Sequence, residues 1–289
     1  MAVLVPVKPK TSKAERREKQ RATNVLRAEK MHKARLDMLR ELVPEAPALP
    51  TLNVGCSGWF YWDWKGTFYP EDMKTNEWFA YYMQHFGTVE LNAPFYGWPT
   101  VNTVKTWRRQ AEANPDFVYT VKVNELITHI WKFEDVGELI TSFGLIADVL
   151  GPKFGCFLYQ LPPSYHFSEQ RLEDILSQLD HSRRNVVEFR HASWWNDRVY
   201  AAFETTGTIF CACSGPKLPD DMVKTADEVY VRFHGTEKWY RHNYSDEELE
   251  AWAQKIVASK PARTWVYFNN DYDGYAIANG LWLRERLKV

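Results

Sequence analysis

The chain has 289 residues, 45% of them hydrophobic and 15% aromatic, which is enough for one large α/β domain with a sizeable core. The formal net charge of −1 hides an asymmetry: residues 1–50 hold twelve Lys/Arg against six Asp/Glu, so they carry +6 and the remainder carries −7. No stretch approaches the roughly 20 apolar residues that cross a bilayer, and the opening MAVLVPV is too short for a signal peptide, so a cytoplasmic protein with no membrane partner is expected.

Residues 1–10 read as a Pro/Lys-containing tail. A basic helix is predicted over 12–42, opened by a Ser12/Glu15 capping box, with apolar residues sparse until Leu36, Leu39 and Val43. The run PEAPALP (44–50) reads as a linker. The expected division is therefore a basic extension over 1–50 and a single folded domain over 51–289. The extension is read as an electrostatic appendage outside the domain core, with Leu36, Leu39 and Val43 able to dock one turn.

From there strand and helix alternate. Strands are predicted at 53–58, 88–93, 116–123, 154–161, 185–191, 208–215, 228–235 and 264–271. Helical patterns occupy 76–86, 100–113, 134–150, 168–179, 196–205, 246–259 and 275–287, and only a short PKLPDD-containing gap follows the sixth strand. Alternation of this kind requires a parallel sheet, and eight units in about 235 residues favour a (β/α)8 TIM barrel over an open doubly wound sheet.

Parity within the strands separates two faces. Val89 and Leu91 oppose Glu90 and Asn92; Val121 and Val123 oppose Thr120 and Lys122. Val187 and Phe189 oppose Glu188 and Arg190; Val231 and Phe233 oppose Tyr230, Arg232 and His234; Val266 and Phe268 oppose Tyr267, Asn269 and Asp271. The apolar set packs on helices and the polar set points into the barrel, near the carboxyl ends of the strands, where barrel sites are built. Burying so many ionised groups costs several kcal/mol each unless they are paired or face a ligand. Two readings stand: a self-satisfied ionic network closing the barrel, or a functional mouth.

On the functional reading Glu90, Glu188, His234 and Asp271 are the candidates for acid–base work. The candidate ligand-binding residues are Asn92, Tyr96, Lys122, His129, Gln160, Arg190, Trp194, Arg232, Asn269 and Asn270. Lys122, Arg190 and Arg232 form a convergent set of cations suited to phosphate or carboxylate. His129 reads equally as a structural hydrogen bonder, and Asn269, Asn270 and Asp271 as pins for their loop. No metal is expected, because three cations share the mouth with the only inward His and carboxylates. No P-loop is present and no cofactor is implied. The aromatic run GWFYWDWKGTFYP (58–70) is either a hydrophobic lid or a stacking platform for a sugar or base. Ser193 is a candidate cap for the helix after the fifth strand. Cys56, Cys156, Cys211 and Cys213 have no zinc or CxxC spacing, lie in apolar runs and are expected as buried free thiols.

The stretches GCSGWFYWDWKGTFYP, VELNAPFYGWP, VKVNELITH, LYQLPPSY, VVEFRHASWW, VRFHG and YFNNDYDGYAIANG together resemble the YecE-like family, known as domain of unknown function 72, over residues 53–287. The resemblance implies a TIM barrel and no assigned activity. Where that family usually has a small hydroxyl pair and then Arg, in ELN-S/T-T-F-Y-R, this chain has Ala93, Pro94 and Gly97, and the basic extension is not part of the usual domain. Three functions are carried forward: an enzyme acting on a phosphorylated or nucleotide-like anion by hydrolytic or isomerase-type acid–base chemistry; a nucleic-acid-binding or nuclease-like protein using the basic helix; and a ligand-binding barrel without catalysis. The oligomeric state is not fixed by the sequence.

Overall fold

A computed structural model describes residues 12–38 and 49–288. Eight parallel strands close into a barrel in the order β1 to β8: Leu52–Cys56, Thr88–Leu91, Val118–Lys122, Phe154–Gln160, Asn185–Glu188, Ile209–Ser214, Glu228–Phe233 and Arg263–Phe268. The expected strands are all present, and β8 returns to pair with β1 in register Leu52 to Thr264 through Cys56 to Phe268. The helices are α1 (Lys13–Met38), α2 (Trp78–His85), the short α3 (Ala93–Tyr96), α4 (Val101–Gln110), α5 (Gly137–Leu150), α6 (Glu169–Gln178), α7 (Asp197–Thr206), α8 (Asp246–Ala258) and α9 (Tyr275–Leu287). Side-chain caps set several starts: Thr100, Ser168, Asn196 and the Ser245/Glu248 capping box each satisfy an otherwise orphaned first-turn N–H. The connection from β6 to β7 carries no helix, as its length implied. No helix among the described residues is long and apolar enough to cross a membrane.

The parity argument holds on both faces. Val89, Leu91, Val121, Val187, Phe189, Val231, Phe233, Val266 and Phe268 belong to the buried layer between barrel and helices. Val118, Leu158, Val186, Ile209, Cys211, Cys213, Tyr230, Trp265 and Tyr267 form a second core inside the barrel, joined by Leu49 from the amino-terminal side. The interior is apolar low in the barrel and turns polar upward. The Tyr267 hydroxyl bridges Thr88 Oγ1 at 2.7 Å and Thr120 Oγ1 at 2.9 Å, and above it lie the charged residues. Gly55 permits this packing, since a Cβ there would sit 2.3 Å from the Thr88 carbonyl oxygen. All four cysteines are free and buried.

The extension differs from its expectation. Ser12 and Glu15 do form the capping box, but α1 is no loose appendage. It lies along α5 and buries Asn24, Ala28, Met31 and Arg35, one face at 4, 3 and 4 residue spacing. Leu36 is 48% exposed and does not dock; Leu39 and Val43 lie outside the described residues. The anchors are polar. Asn24 accepts the Trp98 backbone N–H at 2.9 Å and donates to the Tyr96 carbonyl at 3.2 Å. Arg27 donates to the Trp98 carbonyl, and Arg35 donates to Asp148 and to the Thr141 carbonyl. Nearer its start, Arg17 and Arg21 both pair with Glu125, just beyond β3, at 3.3 and 3.0 Å.

Candidate functional site

The carboxyl ends of β2, β5 and β7 bring together a buried, densely hydrogen-bonded group of charged side chains. Arg232 on β7 is fully buried and donates to Glu90 Oε1 and Glu188 Oε2, each at 2.5 Å. Glu90 also accepts from the Tyr230 hydroxyl at 2.6 Å and the Ser57 hydroxyl at 2.8 Å. Glu188 pairs with Arg190 as well, and faces His234 Nε2 at 3.2 Å. Burial alone would push the Glu188 carboxyl up, but Arg190, Arg232 and His234 outweigh it and hold it well below the ordinary range. Burial, Arg190 and Arg232 push His234 well down, so its imidazole stays neutral. The Asn269 side-chain amide lies 3.1 Å from Nδ1. Arg190 closes the set from above, with its Nη2 3.0 Å from His234 Nε2 and its guanidinium 4.5 Å from the Trp239 ring centre.

Two carboxylates and two guanidiniums thus cancel in a closed network. Networks of this kind contribute little net stability, but removing one partner strands the others. Two titratable groups at the same mouth stand outside it. Lys122, the last residue of β3, makes no ion pair among the described residues; its Nζ sits 4.2 Å over the Phe95 ring. Burial, then Arg232 and Arg190, outweigh the pull of Glu188 and Glu90 and bring its pKa down to about 7. Asp271, beyond β8, has a buried Oδ1 with no hydrogen-bond partner. Burial carries its pKa up to about 7 despite the nearby Tyr61 hydroxyl.

The other sequence candidates divide. Asn92 is at the mouth, where its amide donates to the Ser57 carbonyl at 2.9 Å. Gln160 is next to Glu188 in register, with its amide turned to the Leu161 carbonyl. His129 lies in a π-helical turn (Leu126–Ile130), edge-on to Phe95, with its pKa lowered to about 4 by burial and Lys122. Tyr96 is on the rim and 59% exposed. Asn270 pins its loop instead, donating to the His242 carbonyl and to Asn279, each at 2.8 Å. Trp194 is on the helical side, stacked 4.0 Å from Phe189 and donating to the Tyr165 carbonyl. Of the expected trio of cations, Arg232 is committed to two carboxylates and Arg190 to one, while Lys122 makes no ion pair among the described residues. Ser193 does not cap α7, a role that falls to Asn196; its hydroxyl accepts the Phe167 N–H instead.

The sequence reading missed the parts played by Ser57, Phe95 and Trp239. Ser57 was reachable by parity with Asn53 and Gly55. Phe95 lies in the short helix α3 and Trp239 in a loop, where strand parity lapses. The aromatic run after β1 packs largely against α2, with Tyr69 stacked on Trp78 and Trp59 tilted against Phe79, while Phe60 and Trp62 are exposed. Glu188, Cys211 and Cys213 offer ligand atoms within 4.8 Å of one another. The Glu188 carboxylate is already engaged by three basic side chains, and burial pushes the Cys211 thiol well up, so this group does not suit a metal.

Comparison with known proteins agrees with this architecture. The chain is 25% identical over 274 residues to UPF0759 protein YunF of Bacillus subtilis, covering 82% of this chain and 95% of that protein. It is 26% identical over 202 residues to UPF0759 protein YecE of Escherichia coli K12, covering 61% and 72% respectively. The crystal structure of a DUF72 family protein from Thermotoga maritima superposes with a TM-score of 0.75 at 29% identity, over 83% of this chain and all of that one. A DUF72 family protein from Enterococcus faecalis shares the fold with a TM-score of 0.71 at 18% identity, over 82% of this chain and 96% of that one. The model of the family described as "Protein of unknown function DUF72" matches residues 53–289, and the chain belongs to that family.

Proposed function

We propose that the barrel mouth binds a small anionic ligand of the phosphorylated or nucleotide-like class and performs acid–base chemistry on it without a redox cofactor. The observation that supports this reading is Lys122, without an ion pair among the described residues, beside a charge network that is otherwise neutral. An anion entering the mouth meets Lys122 and the Arg190 guanidinium, held against Phe95 and Trp239, in a low-dielectric setting where charge-assisted bonds are strong. Of the four acid–base candidates, Glu90 and Glu188 are consumed by donors and His234 is held neutral. Asp271 remains, with a pKa near the operating range for a proton shuttle.

Calorimetry with inorganic phosphate and pyrophosphate at low salt tests the reading. Binding favours the charged amine, so affinity falls as pH rises through about 7, the pKa of Lys122. Lys122→Ala weakens binding by about 1–3 kcal/mol, the loss of one charge-assisted bond. Wild-type protein that binds neither anion at pH 6 overturns the proposal. Binding without turnover of any phosphorylated compound favours a ligand-binding barrel.

A second reading has its own support. The exposed basic start of α1, with Lys13, Arg16 and Lys19 near the Arg17 and Arg21 pairs to Glu125, lies at the same rim as exposed Tyr96. A nucleic-acid strand crossing that rim would bind with steep salt dependence. Filter binding at two salt concentrations, with Arg16→Ala/Lys19→Ala as the control, separates it from small-anion binding.

A further inference from the structure

We infer that Lys122 is a nucleophilic amine that forms a Schiff base with the carbonyl group of an anionic aldehyde or ketone. The inference rests on the anion-binding reading above and names the substrate class more narrowly: one molecule carrying both a carbonyl and a phosphate or carboxylate.

The geometry has three parts. Lys122 is the last residue of an inward-facing barrel strand, so its amine opens on the mouth and not on the helical layer. No carboxylate pairs with it among the described residues, so nothing fixes it as an ammonium counterion. The Phe95 ring lies on one side of it, and burial together with the Arg232 and Arg190 guanidiniums outweighs the opposing pull of Glu188 and Glu90. Desolvation next to another cation is what frees a lysine's lone pair at neutral pH. With its pKa near 7, about half the amine is free base at pH 7, roughly a thousandfold more than at an ordinary surface lysine. Arg190, backed by Trp239, then faces the ligand's anionic end.

The step is balanced without an oxidant or reductant. The Nζ lone pair attacks the carbonyl carbon and the C=O π electrons move to oxygen. Nζ gives one proton to that oxygen, forming the carbinolamine. The carbinolamine hydroxyl then takes a proton from solvent, the C–O bond breaks and water leaves, and the nitrogen lone pair forms the C=N bond while Nζ keeps its remaining proton. The resulting iminium replaces the ammonium as the cation at this position.

The full-length protein is incubated with glycolaldehyde phosphate, or with uncharged glycolaldehyde, then reduced with borohydride and read by intact mass and peptide mapping. One adduct on Lys122 is expected. It forms at least about tenfold faster than on any other lysine, given the free-base advantage. It is faster with the phosphate than without, is suppressed by excess inorganic phosphate, and has a pH half-point near 7. Lys122→Arg loses the adduct; if that variant does not fold, site mapping in the wild type decides alone. Labelling scattered over surface lysines with Lys122 unmodified, in a protein that binds phosphate by calorimetry, overturns the nucleophile and leaves the anion site standing. Absence of both phosphate binding and adduct removes both.

Discussion

Replacing Asp271 by Asn should stabilise the protein above neutral pH. Its carboxyl is raised from 3.8 to about 7, chiefly by burial, and its Oδ1 has no partner. Between pH 4 and 7 the folded chain therefore keeps a proton that the unfolded chain has released. Stability falls as pH rises through that window, and above it the full cost of a desolvated carboxylate is present. A shift of about three units corresponds to roughly 4 kcal/mol at about 1.4 kcal/mol per unit. The side chain keeps partial access to the mouth, so screening reduces the gain to about 2–4 kcal/mol. The assay is urea denaturation of wild type and Asp271→Asn from pH 4 to 8. The difference should be near zero at pH 4 and grow to its plateau by pH 8. Glu188 and the other depressed carboxylates lose their contribution at low pH in both proteins and cancel in the difference. Lys122, which loses its proton around pH 7 in the folded state, does so in both proteins and likewise cancels in the difference. A variant that is destabilised equally at all pH values would show that Asp271 is ionised and well solvated in the folded protein, and the argument for it as a proton shuttle would go with it.

Arg232→Met strands Glu90 and Glu188 as buried like charges and should cost about 3–5 kcal/mol, read as a lowered denaturant midpoint; an unchanged midpoint would mean the network is solvated. Asn24→Ala leaves the buried Trp98 N–H and the Tyr96 carbonyl without their partner and should cost about 1–3 kcal/mol. Deleting residues 1–43 should lower the thermal midpoint of the barrel, since Ala28, Met31 and Arg35 are buried against it; a midpoint unchanged by the deletion would restore the appendage reading. Excess zinc should leave the denaturation curve in place, because a metal at Cys211 and Cys213 would have to displace the cations on Glu188.

The barrel was legible because a period of two, repeated eight times between helical stretches, has few architectural solutions. The inward charges followed from the same period. What parity does not give is the pairing across the barrel. Arg232 lies between Glu90 on β2 and Glu188 on β5, a relation fixed by closure of the sheet and not by any spacing along the chain. Hence Lys122, Arg190 and Arg232 look equivalent as a sequence, although Arg232 is consumed and Lys122 is not. Trp194 illustrates the other limit: it follows the strand in a 3-10 turn, Ala192–Trp194, so its side is set by the turn and not by alternation.

The docking of α1 escaped for a different reason, and it bears on the site. Hydropathy reads burial through apolar residues, but α1 is held by Asn24, Arg27 and Arg35, whose partners include main-chain groups. Those partners include Tyr96 and Trp98, which flank Gly97. A Cβ at Gly97 would find Gln20 Nε2 of α1 as its neighbour, at 3.6 Å. The segment APFYGW is where this chain departs from the pattern ELN-S/T-T-F-Y-R and where an Arg is replaced by Gly97. The same α1 brings Arg17 and Arg21 to the rim beside Glu125. The extension therefore packs against the segment where this chain departs from that pattern and brings two further cations to the rim, both paired with Glu125, so ligand affinity in this chain should depend on α1 as well as on the barrel. Arg17→Ala/Arg21→Ala should weaken phosphate binding in a salt-sensitive manner with the barrel intact, as read by calorimetry beside a melting curve. Binding that is unchanged would confine the site to Lys122 and Arg190 and make α1 a structural brace alone.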